Sequence, residues 1–372
     1  MTQVVMRGTM DRNLNSDFLV CRTSRHMRSS NIELLRIIAM LAIVAHHYVV
    51  NSTVTSLFDP MHPTANSIFL QLWGMWGAIN VFVLITGYFM CESRLTAKRY
   101  LKLLFEIVFY SWVMWLVLAL FGYETITLKG MFNRLVCRYL MTEQDGGFVP
   151  AFMWMYLFIP AMNVYLHATS RRGIYTLVGV LLVMFTACGT FLNANVYHHV
   201  FWYVTLYFVG ATIRMCPFGW MYRNKTCVPL LCVSICLAMS SVLVFDFLGM
   251  YLGKEIWMYR WDYLVADSHK LLAFAVGFFT FVTFKNWKLP QSIFINTVAS
   301  TTFGVLLIHA ASNGMRKWLW QDFINVPAAY NMSLLGLIGY SVLVMFGVFA
   351  GCSALDYLRM RYIEKPLFKL FN

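Results

Sequence analysis

Long apolar runs separated by short polar segments recur along almost the whole chain. A transmembrane helix needs roughly 20 mostly apolar residues, and most of these runs approach that length. Lipid cannot satisfy backbone polar groups, so repeated runs of this length predict membrane-spanning α-helices. We count ten such segments, at roughly 32–50, 68–90, 100–122, 149–167, 174–192, 199–215, 227–247, 265–285, 295–312 and 333–355.

The composition agrees with an all-α, polytopic transmembrane bundle of about ten spans. Of the 372 residues, 60% are hydrophobic and only 12% are charged, whereas soluble domains carry about 25% charged residues. Residues 1–30 are polar and precede an apolar run without an evident cleavage site, so we interpret them as a cytoplasmic, mobile tail. Residues 31–372 are then the membrane-embedded domain.

The positive charge indicates an orientation in the lipid bilayer. With the N-terminus placed inside, most of the 29 lysines and arginines fall on the inner side, so the positive-inside rule predicts that both termini are cytoplasmic. The net charge of +13 forms no basic face with interleaved aromatic residues, and we expect no nucleic-acid partner. The nine cysteines lack metal-ligand spacing, so we expect no metal site.

The first apolar run contains two ionisable residues on one helical face. Arg36 and His47 are eleven residues apart, which in a helix means about 20° around the axis and about 16 Å along it. Ionisable groups at membrane depth usually face a bundle interior or a wet cavity and have a function. We therefore expect both side chains to open onto a shared, hydrated passage. His46 lies about 80° from the Arg36 face and is the weaker candidate.

These residue types suit proton transfer from a hydroxyl and binding of a phosphate group. His47 is a candidate general base or nucleophile, because imidazole titrates near neutral pH. Arg36 presents a planar fork suited to phosphate oxygens, and Glu33 would orient it as an i,i+3 partner. In the structural alternative, the Arg36 side chain only extends to the inner membrane–water interface and the His47 side chain to the outer one.

Two further groups of residues have both a functional and a structural interpretation. The inner loop 93–102 clusters Arg94, Lys98, Arg99 and Lys102 at helical spacing. It either holds a polyphosphate or anionic lipid, or is an ordinary positive-inside loop. The outer loops place aromatic residues beside carboxylates, which suits sugar recognition, but a Trp/Tyr interfacial belt has the same composition. These loop residues include Asp59, Glu124, Glu143, Asp145, Glu255, Trp257, Trp261 and Asp262.

Several segments resemble, in order, those of the acyltransferase-3 family of integral membrane proteins. The first is Arg36 followed by ten residues and His47, with Glu33 before it. The others are NVFVLITGYFM at 80–90, KRYLKLL at 98–104, MWMYLFIPAMN at 153–163, LYFVGATIR at 206–214, STTFGVLLIHA at 300–310 and RYIEKPLFKL at 361–370. The chain departs from the family pattern at Ile37, where many members have glycine, and in a looser inner-loop arginine motif.

The resemblance implies an O-acyltransferase that moves an acyl group, usually acetyl, from cytoplasmic acetyl-CoA to a hydroxyl of a carbohydrate, possibly lipid-linked, at the outer side. It implies essential roles for Arg36 and His47. Arg36, Lys98 and Arg99 would hold the CoA phosphates, and His309 would line the same cavity or serve only as a packing residue. The expected location is a bacterial cytoplasmic (inner) membrane. The alternative is a transporter or flippase for a glycan or small solute.

Overall fold

The computed structural model describes residues 29–135, 147–192, 198–253, 260–265 and 267–369, and these residues form helices joined by turns and loops. Residues 1–28, which hold most of the predicted N-terminal tail, lie outside this description. The main helices are α1 (Ser30–Val50), α2 (Ala65–Gly74), α3 (Ile79–Met90), α4 (Ala97–Leu120), α5 (Leu128–Leu135), α6 (Phe148–Ala168), α7 (Arg171–Phe191), α8 (His199–Met215), α9 (Asn224–Leu252), α10 (Leu271–Lys285), α11 (Ile293–Ser300), α12 (Thr302–His309), α13 (Asn313–Arg316, continued by a π-helical Lys317–Phe323), α14 (Val326–Ala329) and α15 (Leu334–Lys369).

All ten predicted apolar segments contain helix, which confirms the all-α class. Within the described ranges, seven spans are long and apolar enough to cross a membrane: α1, α2 with α3, α4, α6, α7, α9 and α15. An eighth candidate is α11–α12 followed by α13–α14, a pair bent by 94°. Ten crossings are not confirmed, because α8 has 17 residues and α10 only 15. The orientation of the termini stays a prediction.

Helix α1 lies at the centre of the bundle. It is an almost uninterrupted apolar run, and Glu33 in its first turn suits the positive end of the helix dipole. Its inward side chains, including Leu35, Val44 and Tyr48, have no exposed surface. Its neighbours are α2, α3, α10, α11, α12 and α15. Side chains along α1 therefore reach any cavity inside the bundle.

Helices α3 and α8 approach each other closely enough for their backbones to touch. A Cβ atom on Gly87 would lie 2.3 Å from the Tyr207 carbonyl oxygen, and one on Gly210 would lie 2.4 Å from the Leu84 carbonyl oxygen. Small residues at such crossings let van der Waals packing hold membrane helices together. Although α8 is short, it is buried along most of its length.

Candidate functional site

Two adjoining cavities lie along α1. The first, which we call the Arg36 cavity, has a volume of about 290 Å³, and the second, the His47 cavity, has a volume of about 640 Å³. Ile43, Phe148 and Leu306 line both cavities and form the wall between them. The single passage expected from the sequence is thus divided into two cavities by this apolar wall, which we call the constriction. Its side chains come from α1, α6 and α12.

Positively charged side chains from two helices line the Arg36 cavity. Arg36 comes from α1, while Arg99 and Lys102 come from the first turns of α4. The Arg36 Nη1 atom lies 3.5 Å from the Glu33 Oε2 atom, the i,i+3 arrangement expected from the sequence. This grouping can hold an anion, because guanidinium groups match phosphate oxygens in a bidentate manner.

Lys98 is not among the described residues that line this cavity, although Arg99 beside it is. Consecutive residues on a helix point about 100° apart, so the two cations cannot share one face. Lys102, three residues after Arg99, returns to the cavity side. Of the three predicted phosphate-binding residues, the fold therefore brings Arg36 and Arg99 together and leaves Lys98 apart.

A buried ionic cluster joins α4 to α15 beside the Arg36 cavity. The Arg359 guanidinium lies 2.7 Å from Asp356, 2.6 Å from Glu364 and 3.1 Å from Glu106. The Lys102 ammonium lies 2.6 Å from Glu364. Lys102 and Glu106 also line the cavity, so the cluster fixes one of its walls.

The sequence contains a local signal for two members of this cluster, although the pattern of Arg36 and His47 does not point to it. Glu106 and Asp356 interrupt otherwise apolar stretches of α4 and α15. Acidic residues at such positions are rare unless they are paired or functional. Their partner, Arg359, could be identified only from the fold.

His47 is paired with His309 at the other end of α1. The His47 Nδ1 atom lies 2.9 Å from the His309 Nε2 atom, and the His309 Nδ1 atom lies 2.6 Å from the Val305 carbonyl oxygen. A carbonyl oxygen can only accept, so His309 Nδ1 donates to it and His309 Nε2 is left as an acceptor. His47 Nδ1 must then donate to His309. This leaves a lone pair on His47 Nε2, as a general base requires.

His309 does not line the His47 cavity as expected; it is fully buried and stands behind His47. Its ring is tied to the preceding turn of α12 by the bond to Val305. The His309 and Trp320 rings are nearly perpendicular, with their centroids 6.2 Å apart. The hydrogen bond from His47 Nδ1 to His309 therefore fixes the tautomer and the orientation of the His47 ring.

His46 also lines the His47 cavity, although its helical position made it the weaker candidate. Its Nδ1 atom donates to the Gly74 carbonyl oxygen at the end of α2. This bond uses one ring nitrogen to join α1 to α2. His46 therefore holds α1 against α2 and also lines the His47 cavity.

The bend after α12 brings another cation to the His47 cavity. Arg316 lines the cavity, and the segment that carries it is fixed by a hydrogen bond of 2.8 Å from the Ser312 hydroxyl to Glu124. The Tyr123 hydroxyl donates to Asp322 at 2.8 Å, and this bond raises the pKa of Tyr123.

The loop residues considered for sugar recognition are only partly among the described residues. Glu143, Asp145, Glu255 and Trp257 lie outside the described residues. Of the others, Glu124 supports the bend through Ser312. The described residues therefore form a cavity lined by cations and, across an apolar wall, a second cavity lined by His47.

A protein-family model matches most of the chain. The model of the acyltransferase-3 family, described as an acyltransferase domain, matches residues 29–356. No curated protein and no solved structure matches the chain. The matched range begins just before α1 and includes both cavities, the His47–His309 pair and Asp356 of the ionic cluster.

Proposed function

The chain belongs to the acyltransferase-3 family and is a multi-pass membrane acyltransferase, and we propose that it moves an acetyl group from cytoplasmic acetyl-CoA to a hydroxyl of a cell-surface or exopolysaccharide sugar. The observation that carries the proposal is the alignment along α1 of a cationic cavity, a constriction and a histidine pair. The expected location is the cytoplasmic membrane of a bacterium, with the Arg36 cavity on the cytoplasmic side.

Arg36, Arg99 and Lys102 bind the phosphate groups of CoA in this proposal. All three line one cavity, and their charges suit phosphate oxygens. The apolar wall of Ile43, Phe148 and Leu306 between the cavities supports a short, uncharged acyl group, because that group would have to pass between apolar side chains. Acetyl is the smallest common acyl group and is therefore the one we propose.

His47 acts as the general base in the transfer step. Its Nε2 atom takes the proton from the acceptor hydroxyl, while the hydroxyl oxygen forms a bond to the acetyl carbonyl carbon. The carbon–sulfur bond of the thioester breaks, and the proton passes from His47 to the sulfur of CoA. The hydrogen bond of 2.9 Å to His309 keeps the His47 ring in the required tautomer during the reaction.

The direct test uses the purified full-length protein in proteoliposomes with labelled acetyl-CoA and a glycan acceptor. Release of CoA together with a mass gain of one acetyl group on the glycan is expected. Movement of the glycan across the membrane without CoA release would support the transporter alternative and contradict the proposal.

Arg99→Ala is expected to raise the KM for acetyl-CoA about tenfold or more, because a hydrogen bond to a charged group contributes about 1.5–3 kcal/mol. Lys98→Ala is the matched control, since it removes the neighbouring charge outside the cavity lining. Steady-state kinetics on the two variants measures the difference. Equal KM values for both variants would contradict the assignment of Arg99.

A further inference from the structure

Glu106 is the one acidic residue among the described residues that line the Arg36 cavity. It lies at the end of that cavity next to the constriction. On α4, Glu106 is the last residue that lines the Arg36 cavity, and Ile107 is the first that lines the His47 cavity. Arg99 lies seven residues earlier on the same helix, which is about 10 Å along the axis. A carboxyl group therefore stands well beyond the cations, beside the wall that divides the passage.

We propose that Glu106 is the general acid that protonates the CoA sulfur when the acetyl group is transferred. The inference rests on the proposed function, because it assigns a further catalytic residue to the same reaction. The sulfur is at the opposite end of CoA from its phosphates. With the phosphates at Arg36 and Arg99, the thioester therefore extends toward the constriction, where Glu106 lines the cavity.

Glu106 belongs to the ionic cluster between α4 and α15, which contains more carboxylates than cations. The carboxylates of Glu106, Asp356 and Glu364 all lie within 3.1 Å of one guanidinium, that of Arg359. The second cation, Lys102, pairs with Glu364. Three negative groups thus share two positive ones. A proton held on one carboxyl would balance these charges in a setting where a buried unpaired charge is costly.

Two oxygen atoms of the cluster are available to such a proton. Among the described residues, the Oδ2 atom of the fully buried Asp356 accepts no hydrogen bond. The Oε1 atom of Glu106 lies 3.1 Å from the Arg359 guanidinium but accepts no hydrogen bond either. A protonated carboxyl can donate. Of the three carboxyl groups, that of Glu106 is the one that lines the cavity, so it is the one that can donate to a bound thioester.

The other cations of the Arg36 cavity interact with groups outside the cluster. The Arg36 Nη1 atom lies 3.5 Å from the Glu33 carboxylate. The Arg99 Nη1 atom donates to the Arg94 carbonyl oxygen at 3.3 Å. In the proposed function both face the CoA phosphates. They are therefore not additional ion-pair partners of Glu106.

The step conserves protons and electrons. When the carbon–sulfur bond breaks, its electron pair moves to the sulfur, and the proton of Glu106 completes the thiol of CoA. Without that proton, the thiolate would be a further anion beside the carboxylates. His47 holds the proton from the acceptor hydroxyl, and Glu106 recovers it afterwards, so the overall reaction moves one proton from the acceptor to CoA. Tyr110 links the two sides, because it lines the His47 cavity and donates to Asp356 at 2.8 Å.

The test compares two donors with the full-length protein in proteoliposomes. One donor is acetyl-CoA, and the other is its analogue in which selenium replaces the sulfur. A selenol is a stronger acid than a thiol, so the selenolate leaves readily without a proton. Glu106→Gln is expected to lower kcat with acetyl-CoA about 10²-fold, within the usual range for a general acid, and to lower kcat with the selenium analogue less than about tenfold.

Control variants separate the acid from the shape of the cavity. Glu106→Asp keeps a carboxyl group and is expected to retain more activity with acetyl-CoA than Glu106→Gln, although glutamine is closer in size. Glu92→Gln removes an exposed carboxylate that pairs with Arg214 and lies outside the described lining. It is expected to leave kcat unchanged with both donors.

Normal kcat in Glu106→Gln would overturn the inference. An equal loss with the two donors would also overturn it, because a damaged cavity slows both and a missing acid slows mainly the thioester. The proposed function fails in a different way. If the unmodified protein releases CoA or its selenium counterpart from neither donor, acetyl transfer itself is contradicted, and the role of Glu106 in it is contradicted as well.

Discussion

His47→Ala is expected to lower the rate of acetyl transfer by about 10²- to 10⁴-fold, the usual contribution of a general base. The reason is the tautomer that the structure requires. His309 accepts a proton from His47 Nδ1 at 2.9 Å, so the lone pair of His47 is on Nε2 in the cavity wall. Alanine removes the proton acceptor and leaves the cationic Arg36 cavity intact.

The measurement is the steady-state kcat for CoA release, with membrane insertion checked on the same preparation. The KM for acetyl-CoA should change little, because donor binding lies on the other side of the constriction. His62→Ala is the control, since that exposed imidazole pairs only with Asp59 among its described ion-pair partners. A well-inserted His47→Ala protein with normal kcat would exclude His47 as the base.

Arg359→Ala is expected to destabilise the protein by about 3–5 kcal/mol, the range observed when one partner of a buried ion pair is removed. Arg359 has contacts of 2.6–3.1 Å with Glu106, Asp356 and Glu364. Its loss would leave the buried carboxylates of Asp356 and Glu364 and the partly buried carboxylate of Glu106, with Lys102 as the remaining described cation of the cluster. The wall of the Arg36 cavity would lose its support, so donor affinity should fall as well.

The thermal midpoint of the purified protein in detergent checks this expectation. Arg361→Ala is the matched control, because that exposed side chain lies over the Tyr362 ring instead of in the cluster. We expect a clearly lower midpoint for Arg359→Ala and a midpoint near that of the unmodified protein for Arg361→Ala. Indistinguishable midpoints for the two variants would show that the cluster does not stabilise the fold.

The helices could be predicted well because hydrophobic run length depends only on local sequence. The number of membrane crossings could not be predicted, because α8 and α10 are apolar and helical yet only 17 and 15 residues long. A short apolar helix can cross a bilayer or remain within the bundle, and its composition is the same in both cases. The bend between α12 and α13 is likewise set by packing.

The candidate site could be predicted only where one helix determines the geometry. Arg36 and His47 share a face because helical periodicity is fixed, and both line cavities beside α1. The contact between His47 and His309 joins residues 262 positions apart, and no local pattern encodes it. The division of the passage by Ile43, Phe148 and Leu306 depends in the same way on three separate helices meeting.

The central claim is that the protein transfers an acetyl group from CoA on one side of the membrane to an acceptor on the other, past the constriction between Arg36 and His47. The most direct measurement uses sealed vesicles of known orientation, with labelled acetyl-CoA on the cytoplasmic side only and a membrane-impermeant acceptor on the opposite side only. We predict acetylated acceptor outside and free CoA inside, with neither produced by His47→Ala. Acetylation only when donor and acceptor share one side would contradict the account.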